Sequence, residues 1–351
     1  MDRRPCHTWP GVYLALTSAI LFGLSTPIAK VLLRSISPVM LAGLLYASSG
    51  AGLWLTRRVR GVASAEPPLQ KPDVPWLVLV VIAGGIAGPL LLMVGLAATP
   101  AASASLLLNL EGVFTLTIAW LVFRENVDVR VGLGAAAILA AAIVLSWSGS
   151  PAGASWRSLA IVGACFAWAI DNNLTRRIST ADPIQLAMIK GLVAGAVNLS
   201  VAIVFRSTLP PAATIAAAGT LGFVSYGLSL VCFILALRHL GTARTGAYFS
   251  FAPFVGAAAS IVFLREPVTG MFAIAAGLMA TGLYLHVTER HEHEHVHEAT
   301  MHTHRHVHDA HHQHAHGADD PPGEPHTHWH QHERLVHSHP HYPDAHHRHR
   351  H

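Results

Sequence analysis

Apolar residues dominate the first 288 positions and occur in long runs separated by short polar segments. A bilayer core about 30 Å thick requires roughly 20 apolar residues in a helix. Ten stretches meet this requirement, at about 11–33, 37–56, 75–97, 101–123, 129–148, 157–175, 184–206, 213–237, 243–264 and 268–287. The pattern predicts an all-α membrane protein with ten transmembrane helices. The first run exceeds the apolar region of about 7–15 residues found in secretory signal peptides, so it is expected to remain in the protein.

The composition changes sharply after residue 288. Residues 289–351 hold 23 of the 26 histidines and few apolar residues. A segment with so little to bury is expected to be disordered. We therefore divide the chain into a membrane body, residues 1–288, and a disordered His-rich tail, residues 289–351.

The membrane body contains an internal repeat. Arg124-Glu125-Asn126 at the end of the fourth apolar run aligns with Arg265-Glu266-Pro267 at the end of the ninth, at a constant offset of 141 residues. Phe22 to Pro38 matches Phe166 to Pro183 more loosely. Five helices per copy is an odd number, so the second copy would enter the membrane inverted. Inverted repeats are typical of alternating-access transporters.

These paired motifs, each followed by a Gly- and Ala-rich run, resemble the EamA family of the drug/metabolite transporter superfamily. The resemblance covers residues 11–288. It implies two inverted five-helix EamA repeats, at 1–148 and 149–288, and efflux of small metabolites by secondary transport. One departure stands out, because the fourth run has Gly112, preceded by Glu111, where the ninth has Pro253.

Charge is scarce and unevenly distributed. Charged residues make up 12% of the chain, about half of the usual fraction in soluble proteins. The body is net positive and the tail net negative, with 18 Lys/Arg and nine Asp/Glu before residue 289. Basic residues concentrate in loops on the side of the N-terminus, which predicts an inner-membrane protein with both termini cytoplasmic. This distribution predicts membrane topology and no nucleic-acid binding.

Glu111 lies near the centre of the fourth predicted helix. An ionisable residue inside a span is a functional candidate by default because its burial is costly. We consider two roles: a proton-coupling or cation-binding carboxylate, and a structural carboxylate bonded to a neighbouring helix. Asn109 is a second candidate, although it lies about 200° from Glu111 around a continuous helix.

The sixth predicted helix carries the most polar segment of any span, Asp171-Asn172-Asn173, shortly before Arg176 and Arg177. It is expected to form a substrate or proton site at the cytoplasmic mouth, or else a cap that fixes the helix end. Lys190 enters from the same side and is a candidate partner of Asp171; snorkelling to the interface is the alternative.

Histidine alternates with other residues along the tail, an arrangement typical of metal-binding tracts. Neutral imidazole is a good ligand for Zn, Ni and Co. The candidate ligands are His291, His293, His295, His297, His302, His304, His306, His308, His326, His328, His330, His332, His337, His339 and His341. Simple solvation, or pH sensing near the ordinary imidazole pKa of about 6.5, remains an alternative.

The sequence thus favours a secondary transporter that exports a small solute and carries a cytoplasmic tail binding divalent transition metals. The alternatives are efflux of Ni, Co or Zn itself, and a membrane-anchored metal store or sensor. An enzyme is not expected, because zinc-protease and nucleophile-elbow motifs are absent in suitable contexts. The body should need no cofactor. Expected partners are the bilayer and a small-molecule or metal-ion substrate, with a homodimer also considered.

Overall fold

A computed structural model describes residues 9–60, 69–123, 129–146, 156–175, 178, 182–240, 242–288, 292–297, 301–306, 326–331 and 335–340. Up to residue 288, the described residues form helices joined by short turns. The α-helices are α1 Trp9–Gly23, α2 Ser25–Leu32, α3 Pro38–Arg60, α4 Val74–Val80, α5 Gly88–Ala98, α6 Ala101–Leu107, α7 Leu110–Phe123, α8 Val129–Ser146, α9 Trp156–Thr175, α10 Pro183–Val204, α11 Ala212–Leu221, α12 Ser229–Leu240, α13 Thr242–Phe249, α14 Ala252–Leu264 and α15 Gly270–Val287. A 3₁₀ turn, Lys71–Asp73, precedes α4.

The lengths and the apolar composition of the helices are those of a membrane protein. Seven helical runs among the described residues are long and apolar enough to cross a bilayer. These are Pro10–Leu32, Pro38–Val59, Lys71–Ala98, Ala101–Val122, Val129–Ser146, Ile184–Val204 and Ala212–Ala236. The shorter apolar helices Ala252–Leu264 and Gly270–Leu285 follow. Helical residues lie in each of the ten predicted stretches, while the number of spans stays a prediction.

Two of the predicted helices are broken where a proline removes a backbone donor. Pro27 has no N–H for the carbonyl of Gly23, the last residue of α1, and Pro253 has none for Phe249, the last residue of α13. The fourth run is also broken, between α6 and α7, without a proline. There the side chain of Asn109 donates to the carbonyl of Leu106 at 3.0 Å, which replaces part of the lost helical bonding.

Two π-helices interrupt longer helical runs. The first, Val81–Ala87, joins α4 to α5, and the second, Gly222–Leu228, joins α11 to α12. Their bounds are 141 residues apart (81 to 222, and 87 to 228). The bounds of α8 and α15 differ by the same 141 (129 to 270, and 146 to 287). The offset seen between short sequence motifs therefore extends to whole structural elements.

A close helix crossing joins α3 to α10 through small residues. A Cβ built on Gly50 would lie 2.5 Å from the backbone nitrogen of Leu192, and one on Gly195 would lie 2.3 Å from that of Ala47. Such an approach is possible only for glycine, and small residues are the usual means of close packing between membrane helices. Substitution at either glycine would push the two backbones apart.

The described part of the tail forms four short strands, β1 Glu292–His297, β2 Met301–His306, β3 His326–Gln331 and β4 Leu335–Pro340. Strand β1 pairs antiparallel with β4, and β2 pairs with β3. The prediction of disorder is therefore not confirmed for these four segments. The His-x-His alternation that we interpreted as a flexible chain has the two-residue period of a β-strand.

Candidate functional site

The main polar site lies where α9 faces α10. Lys190 Nζ contacts Asp171 Oδ2 in a salt bridge, and Thr175 Oγ1 donates to Asp171 Oδ1 at 3.2 Å. The side chains of Asp171 and Lys190 are only 7% and 18% exposed. Lys190 thus contacts the partner proposed for it from the sequence. The pair places two opposite charges, each able to bind a ligand group, inside the helix bundle.

Asp171 fits beside the first π-helix because residue 84 is glycine. A Cβ built on Gly84 would lie 2.0 Å from Asp171 Oδ2. Gly85 similarly faces α10, where its Cβ would lie 2.8 Å from the Cβ of Ala194. Glycine at these two positions therefore lets α9 and α10 approach the third helical run closely enough to bury the ion pair.

A second polar contact joins α7 to α9. Asn172 Nδ2 donates to Glu111 Oε1 at 2.8 Å and lies 3.5 Å from Thr115 Oγ1. Asn173 Nδ2 donates to the backbone carbonyl of Thr115 at 3.2 Å and to that of Ala169 at 2.8 Å. Because Asn172 follows Asp171 directly, one turn of α9 makes the ion pair with α10 and the amide contact with α7, a relation that the sequence could not establish.

Asn109 does not join this region. Its side chain is buried, donates to the carbonyl of Leu106 and lies 3.7 Å from the sulfur of Met279 on α15. The direction predicted from the sequence assumed a continuous helix, whereas the structure has a break there. Its contacts are those of a residue that closes a helix end.

Phe22, Tyr46 and Tyr226 form a group of aromatic residues that was not singled out from the sequence as a site. The rings of Tyr46 and Tyr226 lie 5.6 Å apart, and those of Phe22 and Tyr226 lie 5.7 Å apart. Trp168 lies one helical turn before Asp171. Pro89, in the middle of a predicted span, is the sequence feature that could have pointed to this part of the structure. A proline there leaves backbone carbonyl groups without their usual donor, so side chains must donate to them instead.

Two charged residues elsewhere in the described body, Glu266 and Lys30, close helix ends. The Glu266 carboxylate accepts from the backbone N–H groups of Ala101 and Ala102, both at 2.7 Å, at the start of α6. Lys30 Nζ donates to the carbonyl of Leu96 at 2.7 Å, at the end of α5. Both contacts match the helix dipole. Glu125, aligned with Glu266 by sequence, lies outside the described residues.

Within the residues that the structure describes, no group of three or more His, Cys, Asp or Glu is placed to hold a metal ion. The backbone register nevertheless pairs histidines across the tail strands. These pairs are His293 with His339, His295 with His337, His302 with His330, His304 with His328, and His306 with His326. His297 pairs with Leu335. The predicted ligands His291, His308, His332 and His341 lie outside the described residues.

Comparison with known proteins identifies a family and two relatives that resemble this chain. The model of the EamA-like transporter family matches residues 9–147 and 155–288. An "Uncharacterized transporter" of Methanothermobacter thermautotrophicus is 28% identical over 293 residues, which cover 78% of this chain and 85% of that protein. A "Probable amino-acid metabolite efflux pump" of Salmonella typhimurium is 27% identical over 298 residues, covering 78% and 94%.

A solved crystal structure shares the fold. It aligns with a TM-score of 0.60 at 20% identity and covers 78% of this chain and 94% of its own. At this identity the likeness extends to the helical architecture alone.

Proposed function

Since the chain belongs to the EamA-like transporter family, we propose that it exports a small zwitterionic metabolite by secondary transport. The family and the relatives make the chain a multi-pass membrane transporter of small solutes and not an enzyme. The direction of transport and the class of solute are the proposal. The observation that carries it is the buried contact between Lys190 and Asp171.

Two opposite charges in contact form a natural site for a zwitterion. A substrate carboxylate would replace Asp171 at the Lys190 ammonium, and a substrate ammonium would replace Lys190 at Asp171. Exchanging one ion pair for two leaves no charge unpaired, which matters because an unpaired charge inside the membrane is costly. The Salmonella relative is named for amino-acid metabolites, the simplest solutes with this charge pattern.

The proposed architecture is two inverted five-helix repeats, 1–148 and 149–288, giving ten spans. Its support is the 141-residue offset, which relates α8 to α15 and the first π-helix to the second. An odd number of helices per copy places corresponding elements on opposite sides of the membrane, as alternating access requires. The excess of basic residues in loops supports an inner-membrane location with both termini cytoplasmic.

Transport is tested in proteoliposomes that contain the full chain. The probe is a uniformly ¹⁴C-labelled amino-acid mixture, with a proton gradient of either direction. The proposal expects gradient-dependent movement of label that Lys190→Gln abolishes. Lys71→Gln, which removes an exposed lysine before α4, should transport normally. Equal loss in both variants, or no movement of any amino acid by the wild-type protein, would contradict the proposal.

Divalent metal efflux is the second candidate, with Glu111 and Asp171 as carboxylates along the path. Cellular Ni, Co, Zn and Cu content in a metal-sensitive host would decide between the two. If the full chain lowers one metal and Asp171→Asn does not, the metal is the cargo. A truncation after Glu289 then shows whether the tail is required.

We propose that the tail binds divalent transition metals, whether it delivers them, stores them or senses them. Support comes from its histidine content and from the pairing of histidines across both ladders. Zn titration of the full chain should lose its tightest binding when His302, His304, His328 and His330 become alanine. Removing His311, His312, His314 and His316 instead should have less effect. Equal effects would indicate binding by a flexible chain.

A further inference from the structure

Pro89 follows the first π-helix and affects which of its carbonyl groups find a backbone donor. At the end of this helix the N–H of Gly88 donates to the carbonyl of Ala83, five residues earlier. The next bond in the same pattern would run from residue 89 to the carbonyl of Gly84. Proline has no N–H, so the carbonyl of Gly84 lacks this bond. The carbonyl of Gly85 likewise lacks the bond that residue 89 would donate in an ordinary α-helix.

Side chains from three other helices supply the missing donors. Tyr46 Oη on α3 and Trp168 Nε1 on α9 each donate to the carbonyl of Gly84, at 3.0 Å. Asn198 Nδ2 on α10 reaches the carbonyl of Gly85 at 3.4 Å. All three donors are buried. Inside a membrane protein a carbonyl without a donor is costly, so these contacts replace the bonds that the backbone lacks.

Gly84 also lies against the ion pair, through Asp171. Asp171 Oδ2 lies where a Cβ of Gly84 would be, and Trp168 Nε1 lies 2.6 Å from where a Cβ of Gly88 would be. Any rotation or shift of the π-helix would therefore move the surface against which Asp171 rests. Tyr46 also contacts Tyr226 in the second π-helix, so one side chain links both irregular segments.

We propose that Tyr46 and Trp168 are positioning residues: by holding the carbonyl of Gly84 they keep the π-helix against Asp171 and Asp171 on Lys190. The role in transport rests on the proposed function, but the positioning itself does not require a known substrate. The two donors share one acceptor, so each partly substitutes for the other. Loss of both leaves a buried carbonyl without a partner.

Reactivity of Asp171 toward a hydrophobic carbodiimide tests this proposal in the full chain, in liposomes. Such reagents modify carboxyl groups that are protonated in an apolar setting, and mass spectrometry locates the label. Tyr46→Phe and Trp168→Phe should each raise labelling of Asp171 by roughly two- to threefold, because one donor remains. The double variant should raise it by about tenfold, approaching Lys190→Gln, which removes the partner of Asp171 directly.

Three further variants separate positioning from general loosening. Gly84→Ala keeps both donors but displaces Asp171, and should raise labelling as the double variant does. Asp171→Asn should abolish the label on this helix. Tyr284→Phe, at a position 62% exposed on α15, should change nothing.

The proposal is overturned if the double variant labels Asp171 at the wild-type rate while Lys190→Gln raises it. Equal increases at Asp171 and at Glu266, which caps the start of α6 and does not contact the π-helix in any hydrogen bond described above, would also overturn it, because they indicate global destabilisation. Raised labelling confined to Asp171, in a protein that moves no amino acid, would support the positioning role and refute only the proposed substrate.

Discussion

The crossing of α7 with α9 and the crossing of α1 with α14 hold corresponding positions in the two halves of the chain. The offset of 141 residues pairs Glu111 with Ala252 and Thr115 with Gly256. At the first crossing, Glu111 and Thr115 meet the amide of Asn172. At the second, a Cβ on Gly256 would lie 2.7 Å from the carbonyl oxygen of Gly23. One crossing is therefore polar and the other is packed by glycine.

The partner helices differ in the same way. If Phe22 is aligned with Phe166, Asp171-Asn172-Asn173 of α9 correspond in sequence to Pro27-Ile28-Ala29, which lie in α2 directly after α1. The glycine-packed crossing shows that this fold can join two such helices without buried carboxylates or amides. Placing polar groups at the other crossing costs desolvation, and this cost is understandable if they bind a solute or an ion. The asymmetry supports the proposal that the polar crossing takes part in transport, and it favours a packing role for the other crossing.

The largest expected effect comes from Asp171→Asn, which removes the negative charge that pairs with Lys190, on the turn of α9 next to the polar crossing. Lys190 would remain mostly buried without a counter-charge, a change that typically costs about 3 kcal/mol. We expect lower thermal stability in detergent and at least a tenfold loss of amino-acid transport, about 1.4 kcal/mol. Adding Lys190→Gln should restore much of the stability but none of the transport. Restored transport in the double variant would remove the ion pair from the mechanism.

Gly256→Ala probes the apolar crossing. The new methyl group would lie 2.7 Å from the Gly23 carbonyl oxygen and from Ser105 Oγ, so α1 and α14 must separate, at a cost of about 1–3 kcal/mol. Gly112→Ala is the matched control, since nothing lies within 4 Å of its Cβ position. That change should stabilise the helix by about 0.5–1 kcal/mol. Opposite shifts in melting temperature are expected, and a loss of stability in both would contradict the packing argument.

Much of the fold follows from the sequence because long apolar runs and short polar turns leave few alternatives for a membrane chain. The sequence also indicated Lys190 as a candidate partner of Asp171, and the structure has this contact. The π-helices could not be predicted, since hydrophobic periodicity does not distinguish a five-residue from a four-residue hydrogen bond within an apolar run. Pro89 indicated only that some carbonyl lacked a donor.

The site was harder to predict than the fold because its parts come from different helices. The sequence does not distinguish Gly84 from other glycines in the apolar runs, and only the structure shows that it faces Asp171. Asn109 was placed by assuming a continuous helix, which fails at the break before α7. Contacts between Glu111 and Asn172 join residues 61 positions apart, a distance over which helical periodicity carries no information.

Glu111→Gln separates charge from hydrogen bonding at the polar crossing. Glutamine keeps an oxygen that can accept from Asn172, whereas Glu111→Ala reproduces the residue found at the corresponding position, Ala252. If the carboxylate carries a proton or a cation, both variants should lose about tenfold in gradient-driven transport. Passive exchange of labelled for unlabelled amino acid should persist in Glu111→Gln. Normal gradient-driven transport by Glu111→Gln would assign Glu111 a structural role.

Thr115→Val should have the smallest effect, because it removes one hydroxyl and keeps the shape of the side chain. The hydrogen bond between Thr115 Oγ1 and Asn172 Nδ2 is long, at 3.5 Å, and Asn173 would still donate to the backbone carbonyl at residue 115. We expect stability to fall by no more than about 0.5 kcal/mol and transport by less than about twofold. Thermal unfolding and initial transport rates would be measured together. A loss of transport above about fivefold with unchanged stability would show that the hydroxyl contacts the solute, so that Thr115 would serve in binding as well as in joining α7 to α9.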